Sequence, residues 1–145
     1  MTIQNPFSKE ADPILLVPAL SPDIALFHVR WADRAGNVWI GKRKELGIIA
    51  HAAKKTFVTC EALHDGNLLE DELLAAGTLP GVYVSGVAPA PRGAWPLAVP
   101  GLYPADDAHL AQYARAAASR QGFERYLDEH VWNRAKSSSP VSSPA

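Results

Sequence analysis

The stretch IALFHV, residues 24–29, constrains this chain more than any other. It has strand length and is almost continuously apolar. Turn residues bound it on both sides: Ser21, Pro22 and Asp23 before it, and Ala32-Asp33-Arg34-Ala35-Gly36-Asn37 after it. A short apolar run framed in this way predicts a strand buried on both faces, as in a parallel sheet. Gly36 and Asn37 tolerate positive φ, which predicts a tight turn at 32–37 and a second short strand, VWI, at 38–40.

The same logic extends along the chain. In RKELGIIAHAAKK, residues 43–55, Leu46, Ile49, Ala50 and Ala53 recur at helical spacing, and Lys54 and Lys55 sit where a helix dipole favours cations. TFVTCEAL, residues 56–63, is rich in β-branched residues and reads as a strand. NLLEDELLAAG, residues 67–77, reads as a short helix with Asn67 as N-cap and Gly77 as stop. VYV, residues 82–84, reads as a strand after a Pro-Gly turn. Residues 89–104 are a Pro- and Gly-rich loop or arm, and 106–132 one or two helices broken near Gly122. Alternating strands and helices predict an α/β fold, a small, mostly parallel sheet flanked by helices. With 145 residues there is room for one domain. We place it at 13–133, after an irregular segment 1–12 and before a disordered Ser/Pro tail 134–145.

Fourteen basic and fifteen acidic residues give a net charge of −1. That balance argues against bulk attraction to nucleic acid or to an anionic membrane. The lone cysteine, Cys60, forms no intrachain disulfide and reads as inert packing. The first twenty residues do not read as a signal peptide, and no run approaches the ~20 apolar residues of a spanning helix. The expected location is the cytoplasm.

Asp33, Gly36 and Asn37 follow the first apolar strand, and ligands of open parallel sheets bind beyond the carboxyl ends of strands. The same three residues are also ordinary turn formers. His28 and Arg30 share a strand face; His28 is a satisfied core histidine or a ligand contact, and Arg30 pairs with Asp33 or faces a ligand. Glu61, at the end of the next strand, is a loop glutamate, a ligand contact, or the group that orients Arg30. The five histidines lack metal-ligand spacing, and no phosphate loop, GxGxxG or GxSxG motif is present. No catalytic set and no metal site is assigned. Trp95 and Tyr103 are the aromatic residues we expect at a subunit contact.

FHVRWADRAGNVWI resembles the corresponding stretch of the family I coenzyme A-transferases, in which an apolar strand enters an ADRxGN turn. KKTFVTCEAL, LPGVYVSGV, VPGLYPADDAHLAQYARAA and FERYLDEHV continue the resemblance in order, to the C-terminal half of the A (alpha) chain of the glutaconate CoA-transferase type. The fold it implies is a partial CoA-transferase-like, Rossmann-like domain. The function it implies is one wall of an acyl-CoA cleft in a complex that transfers CoA between carboxylic acids, with CoA as substrate and no cofactor. His28, Arg30, Asp33, Asn37 and Glu61 are then the substrate-binding candidates. The nucleophilic glutamate of such enzymes lies on the B subunit. The partners implied are therefore a chain supplying the missing N-terminal half, together with that CoA-transferase B subunit. A related branch hydrolyses ring-opened CoA thioesters in steroid degradation, and a non-catalytic remnant or binding module of the same fold is a further alternative. A sheet lacking half its strands would expose an edge and associate with itself as a homo-oligomer.

Overall fold

The computed structural model describes residues 1–132; the expected tail at 134–145 lies outside the described residues. These residues form two compact units, Met1–Gly93 and a second beginning at Ala94. In the first, β1 (Thr2–Gln4) pairs antiparallel with β2 (Pro13–Leu15), so part of the stretch expected to be irregular is a short ribbon. A separate sheet contains β3 (Ile24–Ala32), β4 (Val38–Trp39), β5 (Lys55–Leu63), β6 (Thr78–Leu79) and β7 (Gly86–Pro89) in the order β6-β4-β3-β5-β7. Helix α1 (Lys44–Ala52) connects β4 to β5. The second unit holds α2 (Asp107–Ala116) and α3 (Arg120–Leu127), with a π-helical turn at Asp128–Trp132.

The sheet is mixed. β3, β5 and β7 run parallel, with His28 opposite Thr59 and Val58 opposite Val87. β4 and β6 are antiparallel and short, and β4 meets β3 only at Trp31 and Ala32. The α/β fold expected from the sequence is therefore present, with an antiparallel extension on one side.

Pleating divides β3 and β5 into two faces. Ala25, Val29, Val58 and Cys60 are buried and pack with Ala50 of α1, with Phe27 and Val87 against them. The other face carries Ile24 and Leu26, 59% and 73% exposed, beside Phe57 at 40%. The expectation that 24–29 is buried on both faces is thus met on one face only, because α1 covers one side of the ladder.

Four further expectations change. Helix α1 ends at Ala52, since Ala53 is extended and Lys55 already belongs to β5; Gly47 and Ala50 are its buried residues, and Ile49 is exposed. Residues 67–77 do not form an α-helix. Asn67 Oδ1 accepts from Leu69 N, Asp71 Oδ1 accepts from Leu73 N and Leu74 N, and only Ala75–Gly77 make a 3-10 turn. Side-chain acceptors here take amides that a helix would have used. VYV lies across a second 3-10 turn, Gly81–Tyr83, closed by Tyr83 N to Pro80 O at 3.1 Å, and the strand forms later as β7. The break expected near Gly122 falls at 117–119. There Ser119 caps α3 by accepting from Gly122 N at 3.1 Å, and Asp106 caps α2 by accepting from His109 N at 2.9 Å.

Burial pushes the Cys60 thiol up, a hydrogen bond with the Ala32 backbone opposes this, and the Glu61 carboxylate adds to it. A fully buried thiol held protonated is a poor nucleophile. Iodoacetamide at pH 8 should leave Cys60 unmodified in the native chain and alkylate it fully in denaturant; comparable rates in both would contradict this packing.

Candidate functional site

The corner after β3 is a hairpin turn into β4, closed by Asp33 N to Asn37 O at 2.9 Å and Gly36 N to Asp33 O at 3.1 Å. Gly36 takes φ +84°, as the turn requires, whereas Asn37 is not left-handed. Asp33 and Asn37 are 3% and 5% exposed. Asp33 Oδ1 accepts from Ala35 N at 2.9 Å and Asn37 N at 3.0 Å. Its Oδ2 accepts from Asn37 Nδ2 at 2.8 Å and Leu68 N at 2.9 Å. Asn37 also donates to Asn67 Oδ1 at 3.2 Å and accepts from Gly81 N at 2.8 Å. Two side chains therefore bind the turn to the segments at 67–68 and 81. Burial would raise the Asp33 pKa, but the hydrogen bonds from Asn37, Leu68 and Ala35 outweigh it and hold the carboxyl below its ordinary value.

The turn forms one wall of a shallow pocket of about 490 Å³. Asp33, Arg34, Ala35 and Gly36 line it from the corner, Leu63 from the end of β5, Ser85 from just before β7, and Gly86 and Pro89 from β7 itself. The carboxyl end of β3 thus borders a concavity, the position where parallel sheets bind ligands.

A second polar group lies on the open face. His28 Nδ1 is 2.8 Å from Thr59 Oγ1, and His28 Nε2 is 2.8 Å from Glu61 Oε1. The side chains of His28 and Glu61 are only 16% and 8% exposed. Glu61 Oε2 accepts from Arg92 N at 2.6 Å, and Arg92 adopts a left-handed φ of 59°. Such a conformation costs a non-glycine residue roughly 1–2 kcal/mol, which this hydrogen bond helps offset. A Cβ on Gly93 would lie 2.9 Å from His28 Cε1, so the loop approaches the ring closely. This arrangement can hold an imidazole in one orientation and one tautomer.

The structure separates two pairings considered from sequence. Arg30 does not pair with Asp33; its guanidinium carbon lies 4.2 Å over the Trp31 ring, and its Nε is buried with no hydrogen-bond partner among the described residues. Glu61 orients His28 and has no ion pair with Arg30. Trp31 stacks against Trp39 at 5.4 Å. Thr59, Arg92 and Gly93, which complete the His28 group, were not singled out by sequence reasoning. The ladder register that puts Thr59 beside His28 has no local signature, although PRG at 91–93 is itself a turn signal. In the second unit, Trp95 stacks on His109 at 4.3 Å and donates from Nε1 to Asp106 Oδ2 at 3.2 Å. No group of three or more metal-ligating side chains occurs among the described residues, and no helix there is long and apolar enough to cross a membrane.

No family model matches the chain. It is 34% identical over 134 residues to the A chain of glutaconate CoA-transferase from Acidaminococcus fermentans, which covers 90% of this chain and 41% of that protein. It is 31% identical to the A chain of 3-oxoadipate CoA-transferase from Pseudomonas knackmussii, covering 89% and 44%. Identity to the cholesterol ring-cleaving hydrolase IpdA subunit of Rhodococcus jostii is 27%, covering 90% and 46%. Among solved structures, glutaconate coenzyme A-transferase from Acidaminococcus fermentans superposes with a TM-score of 0.80 at 32% identity over 92% of this chain and 42% of that one. A variant of the decarboxylase AibA/AibB gives 0.74 at 32% identity over 89% and 45%. The chain thus spans less than half the length of the curated relatives it matches.

The Asp33 network yields a stability test. In Asp33→Asn one acceptor atom becomes a donor facing N–H groups, so the variant should lose about 2–4 kcal/mol of unfolding free energy at pH 7. The depressed native pKa means that the Asp33 contribution is complete above the unfolded value of about 4 and fades as pH falls through the lower folded value. Urea melts of both proteins should show the gap narrowing below about pH 4; a gap constant from pH 7 to pH 3 would contradict the assignment.

Proposed function

Because this chain is homologous, over about 90% of its length, to the A chains of glutaconate and 3-oxoadipate CoA-transferase, we propose that it forms part of the corresponding side of an assembly that moves coenzyme A between carboxylic acids. The observation that carries this reading is the homology over almost the whole chain. The shallow pocket at the ADRAGN corner supports it, as a concavity at the end of a parallel strand.

In this reading the chain supplies binding surface and scaffold, and a B subunit supplies the nucleophile. A carboxylate attacks the acyl-CoA carbonyl, the CoA thiolate departs, and an acyl–enzyme anhydride forms. The thiolate then attacks the enzyme-side carbonyl, releasing the first carboxylate and leaving an enzyme–CoA thioester. The second carboxylate reverses both steps. Glu61 is a poor candidate for the nucleophile, since each of its oxygens already accepts a hydrogen bond or faces His28. We assign His28 and Glu61 to the acyl-CoA side of the cleft, with Arg30 beside them. Asp33 and Asn37 act through the turn they hold, which presents Arg34, Ala35 and Gly36 to the pocket. Coenzyme A is substrate here, and the assembly works in the cytoplasm.

Similarity to the ring-cleaving hydrolase IpdA subunit favours a second reading, in which water takes the place of the acceptor acid. The two separate in one assay. The chain is co-expressed with a polypeptide homologous to the unmatched part of the glutaconate CoA-transferase A chain, and with a B subunit. This assembly should pass CoA from an acyl-CoA to an added carboxylic acid. Free CoA release independent of acceptor would replace transfer with hydrolysis, and neither reaction would leave a binding module. In the active assembly His28→Ala should raise KM for acyl-CoA about tenfold with kcat changed less than about threefold; an unchanged KM would remove His28 from the binding surface.

A further inference from the structure

β3 is central in the strand order, yet most of one edge is bare. β4 pairs with it only at Trp31 and Ala32. Arg43 Nη1 donates to the His28 carbonyl at 3.4 Å, so that carbonyl points away from β5. In a parallel ladder, residues two apart direct both main-chain polar groups the same way. Ile24 and Leu26 therefore also present N–H and C=O on that side, where no strand pairs with them among the described residues. The side chains of these two residues, with Phe57, make the open apolar face of the same ladder.

Parallel ladders are normally covered on both faces and continued on both sides of a central strand, because their hydrogen-bonding groups and apolar side chains gain nothing from water. Here the unpaired edge and the uncovered face coincide at Ile24–Leu26. In the solved relative the matched region accounts for 42% of the chain, so more than half of that polypeptide is left to satisfy such a surface. Arg43 is the single side chain that caps a main-chain group of this edge among the described residues, and it leaves the amides of Ile24 and Leu26 available.

We propose that the bare edge of β3, over Ile24–Arg30, receives a β-strand from a polypeptide equivalent to the unmatched part of the longer relatives. The added strand continues the ladder beyond β3. Its carrier covers Ile24, Leu26 and Phe57 with apolar side chains. This rests on the homology reading above and deepens it by naming the surface. A second copy of this chain is the competing occupant, and it is disfavoured because a two-fold pairing of β3 with itself is antiparallel, against the direction of the ladder.

The experiment co-expresses tagged Met1–Ala145 with the polypeptide of the same genome that is homologous to that unmatched part. Complex formation is read by light scattering, and amide hydrogen exchange is followed along 24–30. A 1:1 complex is expected, with exchange at Ile24 and Leu26 slowed by about tenfold or more relative to the free chain. Leu26→Pro removes one outward N–H, a change edge positions tolerate, and should abolish the complex while leaving the circular dichroism of the free chain unchanged. If that variant does not fold, Leu26→Lys keeps the N–H, places a charge on the open face and should weaken the complex. No complex, a complex with unchanged exchange at 24–30, or a homodimer that protects the edge would each overturn the proposal. Edge protection in a complex inactive toward acyl-CoA would leave this inference standing and remove the transferase reading. CoA transfer by a complex whose edge exchanges freely would do the opposite.

Discussion

The Asp33 carboxylate is the interaction on which the site region depends. It takes N–H groups from Ala35, Asn37 and Leu68 and the amide of the Asn37 side chain, while Asn37 reaches Asn67 and Gly81. Three stretches that are distant in sequence thereby share one buried anion and its companion amide. Leu68, whose side chain is fully buried, is held by its own amide to this carboxylate. An ionised group so buried is tolerable only because its lone pairs are filled. The turn is therefore rigid, and the surface it offers to the pocket is fixed before any ligand arrives.

The sheet has a different character at its two ends. Toward the carboxyl end of β3 the packing is complete: Ala32, Val38 and Leu79 are buried, and the antiparallel strands β4 and β6 close that side. Toward the amino end, Ile24 and Leu26 stand in solvent. Relatives more than twice as long share the matched region with good superposition. The parallel core thus keeps its sequence character where its surroundings, within the described residues, no longer explain it.

What could be read from the sequence follows the range of the interactions. β3, β5 and the corner were legible because their determinants are local: an apolar run, β-branched residues, and an Asp, a Gly and an Asn within five positions. The helix expected at 67–77 failed because Asn67 and Asp71 use their side chains on nearby amides, and because Leu68 is held by Asp33 from a distance that helical spacing does not encode. The strand expected at VYV failed because Gly81 is bound to Asn37 and the chain turns there. His28 and Glu61 were both candidates, but their contact depends on the register of two strands separated by a helix. Arg30 against Trp31 was missed because adjacent residues point to opposite faces of a regular strand, so strand periodicity does not bring the guanidinium over the neighbouring ring.

Glu61 joins His28 through one oxygen and the Arg92 amide through the other. The spacing between β7 and Arg92 is therefore tied to the aim of an imidazole in the middle of β3. Insertions or deletions between Pro89 and Gly93 would rotate that ring even though they fall far from it in the chain.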